Sequence, residues 1–341
     1  MLPPEWFRQF AILLTWPHPG TDWHEILSDI ENVYCQLVLA ILQQSNVDII
    51  AHDAQHVQHI KDRLGTIDST YTVRYCIAPS NDSWARDHGP LTVYSDSRWT
   101  FLSFDFNAWG GKFEFDLDNL LTPQLHSQLY TDKVILENIP LIFEGGSIDV
   151  DGAGTLMTTS ACLLTDTRNP SMSRTDYEVL FGELFGAKQT LWLEHGMLIG
   201  DDTDSHIDML ARFCSPSHIA YTACDDPNDE HFASLQAMAE ELRAFKQISG
   251  EPFELTALPI PAPIYDATAQ RLPASYANFL VNNQQVLVPV YNDPADAVAI
   301  TRLQACFPSH IITPINCLPV IEQHGSLHCL TMQIPDIHST L

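Results

Sequence analysis

Apolar positions recur at helical spacing in four stretches of the chain. Residues 23–44 (WHEILSDIENVYCQLVLAILQQ) carry them every three to four positions, and residues 53–65 repeat the pattern up to Gly65. Residues 231–250 form the clearest amphipathic run and stop at Gly250, a residue suited to a helix C-terminus. Residues 294–308 open on Pro294, which is tolerated in a first helical turn. Runs rich in β-branched residues and bounded by Gly, Pro, Asn and Asp predict strands at 132–137, 154–164, 218–224, 283–291, 310–316 and 327–333. The pattern is mixed α and β throughout. No Pro- or Gly-rich linker, identity repeat or low-complexity segment interrupts it. A chain of 341 residues fits two domains or one large domain with internal repetition.

Composition sharpens this picture. Hydrophobic residues make up 45% and charged residues 17%, which excludes disorder. Sixteen Lys and Arg face 43 Asp and Glu, for a net charge of −27. Nucleic acid needs a basic face, and an anionic membrane surface repels such a chain. Cationic small molecules fit it, since a negative cleft focuses them, although acidity also serves solubility alone. No stretch is apolar for the ~18 residues of a membrane span, and the N-terminus lacks the features of a signal peptide. Eight cysteines include no CxxC pair. A reduced cytoplasm is the simplest expected compartment.

Four stretches place acids, Gly and aromatics where a core would take neither. In NDSWARDHGP (81–90), Asp82, Arg86 and Asp87 surround Trp84 before a Gly-Pro turn. In FEGGSIDVDGAGT (143–155), Glu144 ends an apolar run and meets two glycines. In DDTDSHIDML (201–210), His206 and Asp208 stand two apart, so in an extended strand they project from one face. In GSLHCLTMQ (325–333), Cys329 follows His328 at the start of a strand-like run. Each has an ordinary alternative: a self-capping Asp, a tight Gly-Gly turn, or a buried cysteine acting as a small hydrophobe. Together they supply a thiolate nucleophile, a proton-handling histidine and acids able to hold a cation. His52, His56 and His59 have the spacing of one helical face, but the Glu of a zinc-protease helix is missing, and a solvated face is the expectation. No P-loop, GxGxxG or GxSxG is present.

In order along nearly the whole chain, seven segments follow an N-terminal stretch, PPEWFRQFAILLTWP. They are NDSWARDHGP, FNAWGGK, EGGSIDVDGAGTLMTT, RNP, DTDSHIDM, SYANFLVNNQQVLVPVYNDPAD and GSLHC. This series resembles the agmatine deiminase family, kin of the bacterial-type peptidylarginine deiminases. The resemblance implies a single α/β deiminase domain over 1–341, a five-bladed pseudo-symmetric α/β propeller of ββαβ units. It implies no metal or organic cofactor. It makes Cys329 the nucleophile and His206 the acid and base. Asp87 and Asp208 would grip the guanidinium, and Glu144 would support His206 and the substrate. Trp84 would wall the substrate channel, with Asp202, Thr203, His324 and Gly325 around the distal end. The implied substrate is agmatine, and self-association is compatible with the family.

The chain departs from the family pattern at two places. Gln323 and His324 replace the first two of three glycines before the Cys motif, and Ser205 replaces a Gly before His206. These changes touch the distal pocket and leave the chemical residues intact. A deiminase for free or peptidyl arginine, an amidinotransferase, and a non-catalytic guanidine binder are the remaining readings. The binder has no need of Cys329.

Overall fold

The computed structural model describes residues 1–341. The backbone forms five small sheets, four of them built alike. Leu91–Ser95 runs antiparallel to Arg98–Asp105, which pairs in parallel with Ile135–Ile142. Ile148–Val150, Thr155–Thr159 and Gln189–Leu193 repeat that order. So do Ala211–Ser215, His218–Ala223 and Glu254–Pro259, and then Leu280–Asn282, Gln285–Val290 and Ile311–Asn316. A short turn suffices between antiparallel strands, whereas a parallel pair needs a longer crossover. The crossovers hold the helices Leu121–Leu125, Arg174–Phe185, Phe232–Ala244 and Ala295–Cys306. The fifth sheet draws on both ends of the chain. Thr331–Pro335 pairs antiparallel with Gln9–Thr15, which pairs in parallel with Asn46–Ala51 across the helix Leu27–Ile41. Val73–Ile77 adds an edge strand after the helix Ala54–Leu64. The ββαβ unit is thus repeated in hydrogen bonding and not in residue identity.

Local chemistry explains where the elements start and stop. Asp53 caps the helix Ala54–Leu64, its Oδ1 accepting from the His56 N–H at 2.7 Å. The helix Phe232–Ala244 ends six residues before Gly250, because Phe245 turns extended and Lys246 bridges to Pro252. The strand expected at 154–164 stops at Thr159, whose hydroxyl accepts from the Cys162 N–H and opens a helical turn over Ser160–Leu163. The strand expected at 132–137 runs instead from Ile135 to Ile142. It includes Pro140, which a sheet edge tolerates. The helix Arg174–Phe185 has a Ser173–Asp176 capping box and a left-handed Gly186, yet no expected helix covered it. Its apolar residues spread around the barrel, with Tyr177 and Phe181 buried while Val179 faces solvent, so no single stripe stands out.

The core lies between sheets and helices. Ala11, Ile12, Leu13 and Leu14 have no exposed surface, as expected of a strand covered on both faces. Tyr34, on the helix Leu27–Ile41, packs edge-on against Trp16 with ring centroids 5.2 Å apart, and both are fully buried. No helix is long and apolar enough to cross a membrane.

Candidate active site

Each unit contributes the short segment just before its first strand, and these segments meet. Asp87 sits on the turn Ala85–His88, Glu144 precedes Gly145–Ser147, and His206 and Asp208 flank Ile207. Asn278 lies just before Leu280–Asn282, and Cys329 lies on the turn His328–Leu330. Two expectations about local structure change here. His206 and Asp208 stand on a 3-10 turn, not a strand, so a tight bend brings them together. Cys329 likewise sits on a 3-10 turn, and its strand begins at Thr331.

Gly146 marks how closely these groups approach. A Cβ there would stand 2.5 Å from His206 Nδ1, 2.9 Å from Asp87 Oδ1 and 3.2 Å from Asp208 Oδ2. Only glycine leaves room for the three side chains. Asp87 Oδ1 accepts from the Gly146 N–H at 2.9 Å, and its Oδ2 accepts from Trp109 Nε1 at 3.0 Å. His206 Nδ1 lies 3.6 Å from Asp87 Oδ1, and its Nε2 lies 3.9 Å from Glu144 Oε2. Cys329 Sγ stands 3.8 Å from Asp208 Oδ2 and 3.4 Å from Asn278 Nδ2. Asp208 Oδ1 is buried without a hydrogen-bond partner, as are both His206 nitrogens. Unpaired buried polar groups of this kind are costly unless a ligand meets them.

Burial and neighbouring charge together set the proton affinities. Burial, then Asp208 and Asp87, push the Cys329 thiol well above its ordinary value. Burial alone would lower His206, but Asp87, Cys162 and Glu144 raise it well above the usual imidazole range. Burial raises Asp87 despite His206 nearby. Burial would also raise Asp208 and Glu144; His328 holds the first down, and His206 with Arg168 hold the second down. Without a cation, the cluster therefore favours a thiol beside an imidazolium.

The narrow cavity above Cys329, about 20 Å³, is lined by Asp22, Asp82, Trp84, Asp202, Thr203 and His324, among others. Gly325 lets the Trp84 ring in: a Cβ on it would meet Trp84 Cζ3 at 2.3 Å. Burial, then Asp22, raise Asp82 to about 7; burial, then Asp201, raise Asp202 to about 6. The Thr203 hydroxyl is already engaged, donating to Asp201 Oδ1 at 2.6 Å and accepting from the His206 N–H at 3.1 Å. It positions His206.

The model of the Porphyromonas-type peptidyl-arginine deiminases matches residues 1–335. The chain belongs to that family. A Pectobacterium atrosepticum protein provisionally named agmatine deiminase is 32% identical over 98% of this chain and 94% of its own. A Cys-to-Ser variant of C. jejuni agmatine deiminase, solved with substrate bound, superposes with a TM-score of 0.90 at 37% identity, covering 97% of this chain and 94% of that one. The agmatine deiminase of Enterococcus faecalis superposes with a TM-score of 0.86 at 28% identity, covering 98% and 95%.

Against the family pattern, both departures fall on left-handed backbone. Ser205 has φ +69° and His324 φ +65°, where glycine carries no Cβ penalty. His324 Nδ1 lies 2.9 Å from the Gly200 carbonyl oxygen, which anchors the ring at the cavity wall.

Several supporting residues carried no signal of their own. Asn278 Oδ1 accepts from the His328 N–H at 2.8 Å while Nδ2 faces the Cys329 sulfur. Arg168, in the RNP motif, donates from Nε to both Glu144 oxygens at 3.0 and 3.1 Å. Glu5 lies 2.6 Å from His328 Nε2 and accepts from Arg212 at 2.8 Å. Glu144, Cys162 and His206 hold potential ligand atoms within 4.8 Å of one another. A cation there would have to displace Arg168 from Glu144. His56 and His59 lie on the helix Ala54–Leu64, half-buried and exposed respectively, and His52 precedes it. Together with His18 and Glu31 they line a separate cavity, and Glu31 Oε1 lies 2.6 Å from His59 Nε2.

Proposed function

We propose that this chain is an agmatine deiminase, hydrolysing agmatine to N-carbamoylputrescine and ammonia through a covalent intermediate on Cys329. The observation that carries this reading is the buried cluster of Cys329, Asp208, Asp87, His206 and Glu144, of which Cys329 and Asp87 line one small cavity. A guanidinium placed there pairs with Asp87 and with the partnerless Asp208 Oδ1. Its positive charge lowers the proton affinity of the thiol, so the proton passes to solvent and leaves a thiolate aimed at the guanidino carbon. Sulfur bonds to that carbon, and His206, already protonated, gives its proton to the departing nitrogen as ammonia leaves. Water, deprotonated by His206, then attacks the thiouronium carbon, and the C–S bond breaks. The product ureido group is neutral, which loosens it from the two aspartates. Glu144 holds the charge on His206, with Arg168 fixing the carboxylate.

The cavity wall supports agmatine over arginine. Asp22, Asp82 and Asp202 line it, and no Lys or Arg does. An ammonium tail would favour the ionised forms of Asp82 and Asp202, which release their protons to solvent and pair with it, whereas an α-carboxylate would face these acids with no Lys or Arg to pair it. The five sheets support a five-bladed propeller of ββαβ units closed by the terminal strands, forming one domain. Eight free cysteines support a reducing, cytoplasmic setting.

The test is ammonia release from agmatine, arginine and a peptidyl-arginine, with Cys329→Ala as control. Release from agmatine alone, lost in the variant, supports the reading. Release only from another guanidine moves the specificity, and no release from any of them removes the deiminase assignment for these substrates.

A further inference from the structure

We propose that Cys306, with Cys214 and His218, forms a second thiol site that reacts with hydroperoxides and closes to a Cys214–Cys306 disulfide. Cys306 ends the helix Ala295–Cys306, Cys214 lies in the strand Ala211–Ser215, and His218 opens the strand His218–Ala223. The site therefore joins two neighbouring ββαβ units. Both cysteines line a cavity of about 620 Å³, whose wall includes Trp6, Arg8, Asn283 and His310. It shares no lining residue with the Cys329 cavity.

The geometry divides the two thiols into distinct roles. Cys306 Sγ lies 3.8 Å from His218 Nε2, and that nitrogen is 2.8 Å from Thr256 Oγ1. The hydrogen bond from Cys214, then those from His218 and Thr256, lower the Cys306 thiol to about 5. Burial, then Cys306 itself, raise Cys214 well above its ordinary value, and Cys306 raises His218. Cys306 is half-buried and Cys214 is buried. An accessible thiolate next to a thiol that keeps its proton is the arrangement that disulfide formation needs.

The steps balance. The Cys306 thiolate attacks one oxygen of hydrogen peroxide, the O–O bond breaks, and hydroxide leaves; sulfur is oxidised to the sulfenic acid and the peroxide is reduced. Cys214 sulfur then attacks the Cys306 sulfur, the S–O bond breaks, and water leaves with the Cys214 proton. The disulfide closes a loop from residue 214 to residue 306 and tethers the helix end to the strand.

The experiment uses the unmutated protein first. At pH 6, limiting iodoacetamide followed by peptide mass mapping should label Cys306 about tenfold faster than Cys35, the other half-buried thiol. Its thiolate fraction there outweighs the lower nucleophilicity of a low-pKa sulfur. Hydrogen peroxide should then yield linked 214 and 306 peptides lighter by two hydrogens, and raise Tm by about 5 °C, reversibly with dithiothreitol. His218→Gln should slow the pH 6 labelling several-fold while leaving labelling at pH 9 nearly unchanged. Cys214→Ser should replace the cross-link with a dimedone-trapped sulfenic acid on Cys306. Labelling of Cys306 no faster than Cys35, or peroxide treatment without the 214–306 link, overturns the proposal.

Discussion

His328 Nδ1 lies 2.8 Å from Asp208 Oδ2, so the residue just before the proposed nucleophile Cys329 holds the carboxylate beside it. The other ring nitrogen lies 2.6 Å from Glu5 Oε2, and all three groups are buried. Removing the imidazole leaves two carboxylates facing each other across a dry gap, and breaking such a buried pair costs roughly 3–5 kcal/mol. His328→Leu should therefore lower stability by about that amount. His328→Gln, which restores a donor on one side, should recover part of it. In the Gln variant kcat for agmatine should fall about a hundredfold with a smaller change in KM, because Asp208 is misdirected when charge develops. Urea unfolding and steady-state kinetics check both halves; a kcat within threefold of the parent would show that His328 does not position Asp208.

The raised proton affinities of both Cys329 and His206 give a second expectation. Attack needs the thiolate, and burial, Asp208 and Asp87 hold the free thiol well above its ordinary value. Protonation of the leaving nitrogen needs imidazolium, and Asp87, Cys162 and Glu144 keep His206 protonated well above the usual range. As pH rises, the thiolate fraction grows before the imidazolium is lost. The kcat/KM for agmatine should thus climb steadily from pH 6 to 9, without an acid-side optimum. A guanidinium bound without turnover should accelerate Cys329 alkylation if it leaves the sulfur accessible, because the cation favours the charged sulfur. A maximum near pH 6 would contradict the assignment of these two roles.

The proposed reactive groups stand out in the sequence because their chemistry is unusual for their setting. Cys329, His206, Asp208, Asp87 and Glu144 stand in motifs of acids and glycines at strand ends, and the motif order marks the family. Their geometry was less legible, because His206 and Asp208 converge through a tight turn, and sequence spacing alone suggested a strand. Asn278, Arg168 and Glu5 are ordinary residue types whose importance arises only when distant segments meet: His328 and Glu5 are 323 positions apart. The recurrence of the sheet pattern left no trace in residue identity for a related reason. It resides in which strands pair and in what direction, a property many unlike sequences satisfy. The helix Arg174–Phe185 escaped because its capping signals accompany apolar residues on several faces.

The left-handed backbone at Ser205 bears on stability. Its N–H donates to Asp201 Oδ2 at 2.8 Å and its carbonyl accepts from Thr159 Oγ1 at 2.8 Å, so neighbours hold φ at +69°. A β-carbon there costs on the order of 1 kcal/mol, and glycine's extra freedom in the unfolded chain returns part of that gain. Ser205→Gly should stabilise the protein by about 0.5 kcal/mol with kcat nearly unchanged, whereas Ser205→Val should destabilise it. Urea titrations of the two variants check the order; a Gly variant less stable than the Val variant would contradict it.

Asp118 makes stability depend on pH. Its Oδ1 accepts from the Asn81 N–H at 2.8 Å, while its Oδ2 is buried without a partner. Burial, and then Asp82, raise its carboxyl to about 8. The folded chain therefore keeps a proton that the unfolded chain sheds near pH 4. Between those values the folded state binds more protons, so this group's contribution falls as pH rises from about 4 to about 8, and levels off above. Asp118→Asn keeps the accepting oxygen and has no proton to lose. The variant should match the parent within about 1 kcal/mol at pH 5 and exceed it by roughly 1–3 kcal/mol at pH 8.5. Urea unfolding at the two pH values measures the difference directly. Equal offsets at both would mean that Asp118 does not carry the proton, because only a titrating group makes the variant's advantage grow with pH.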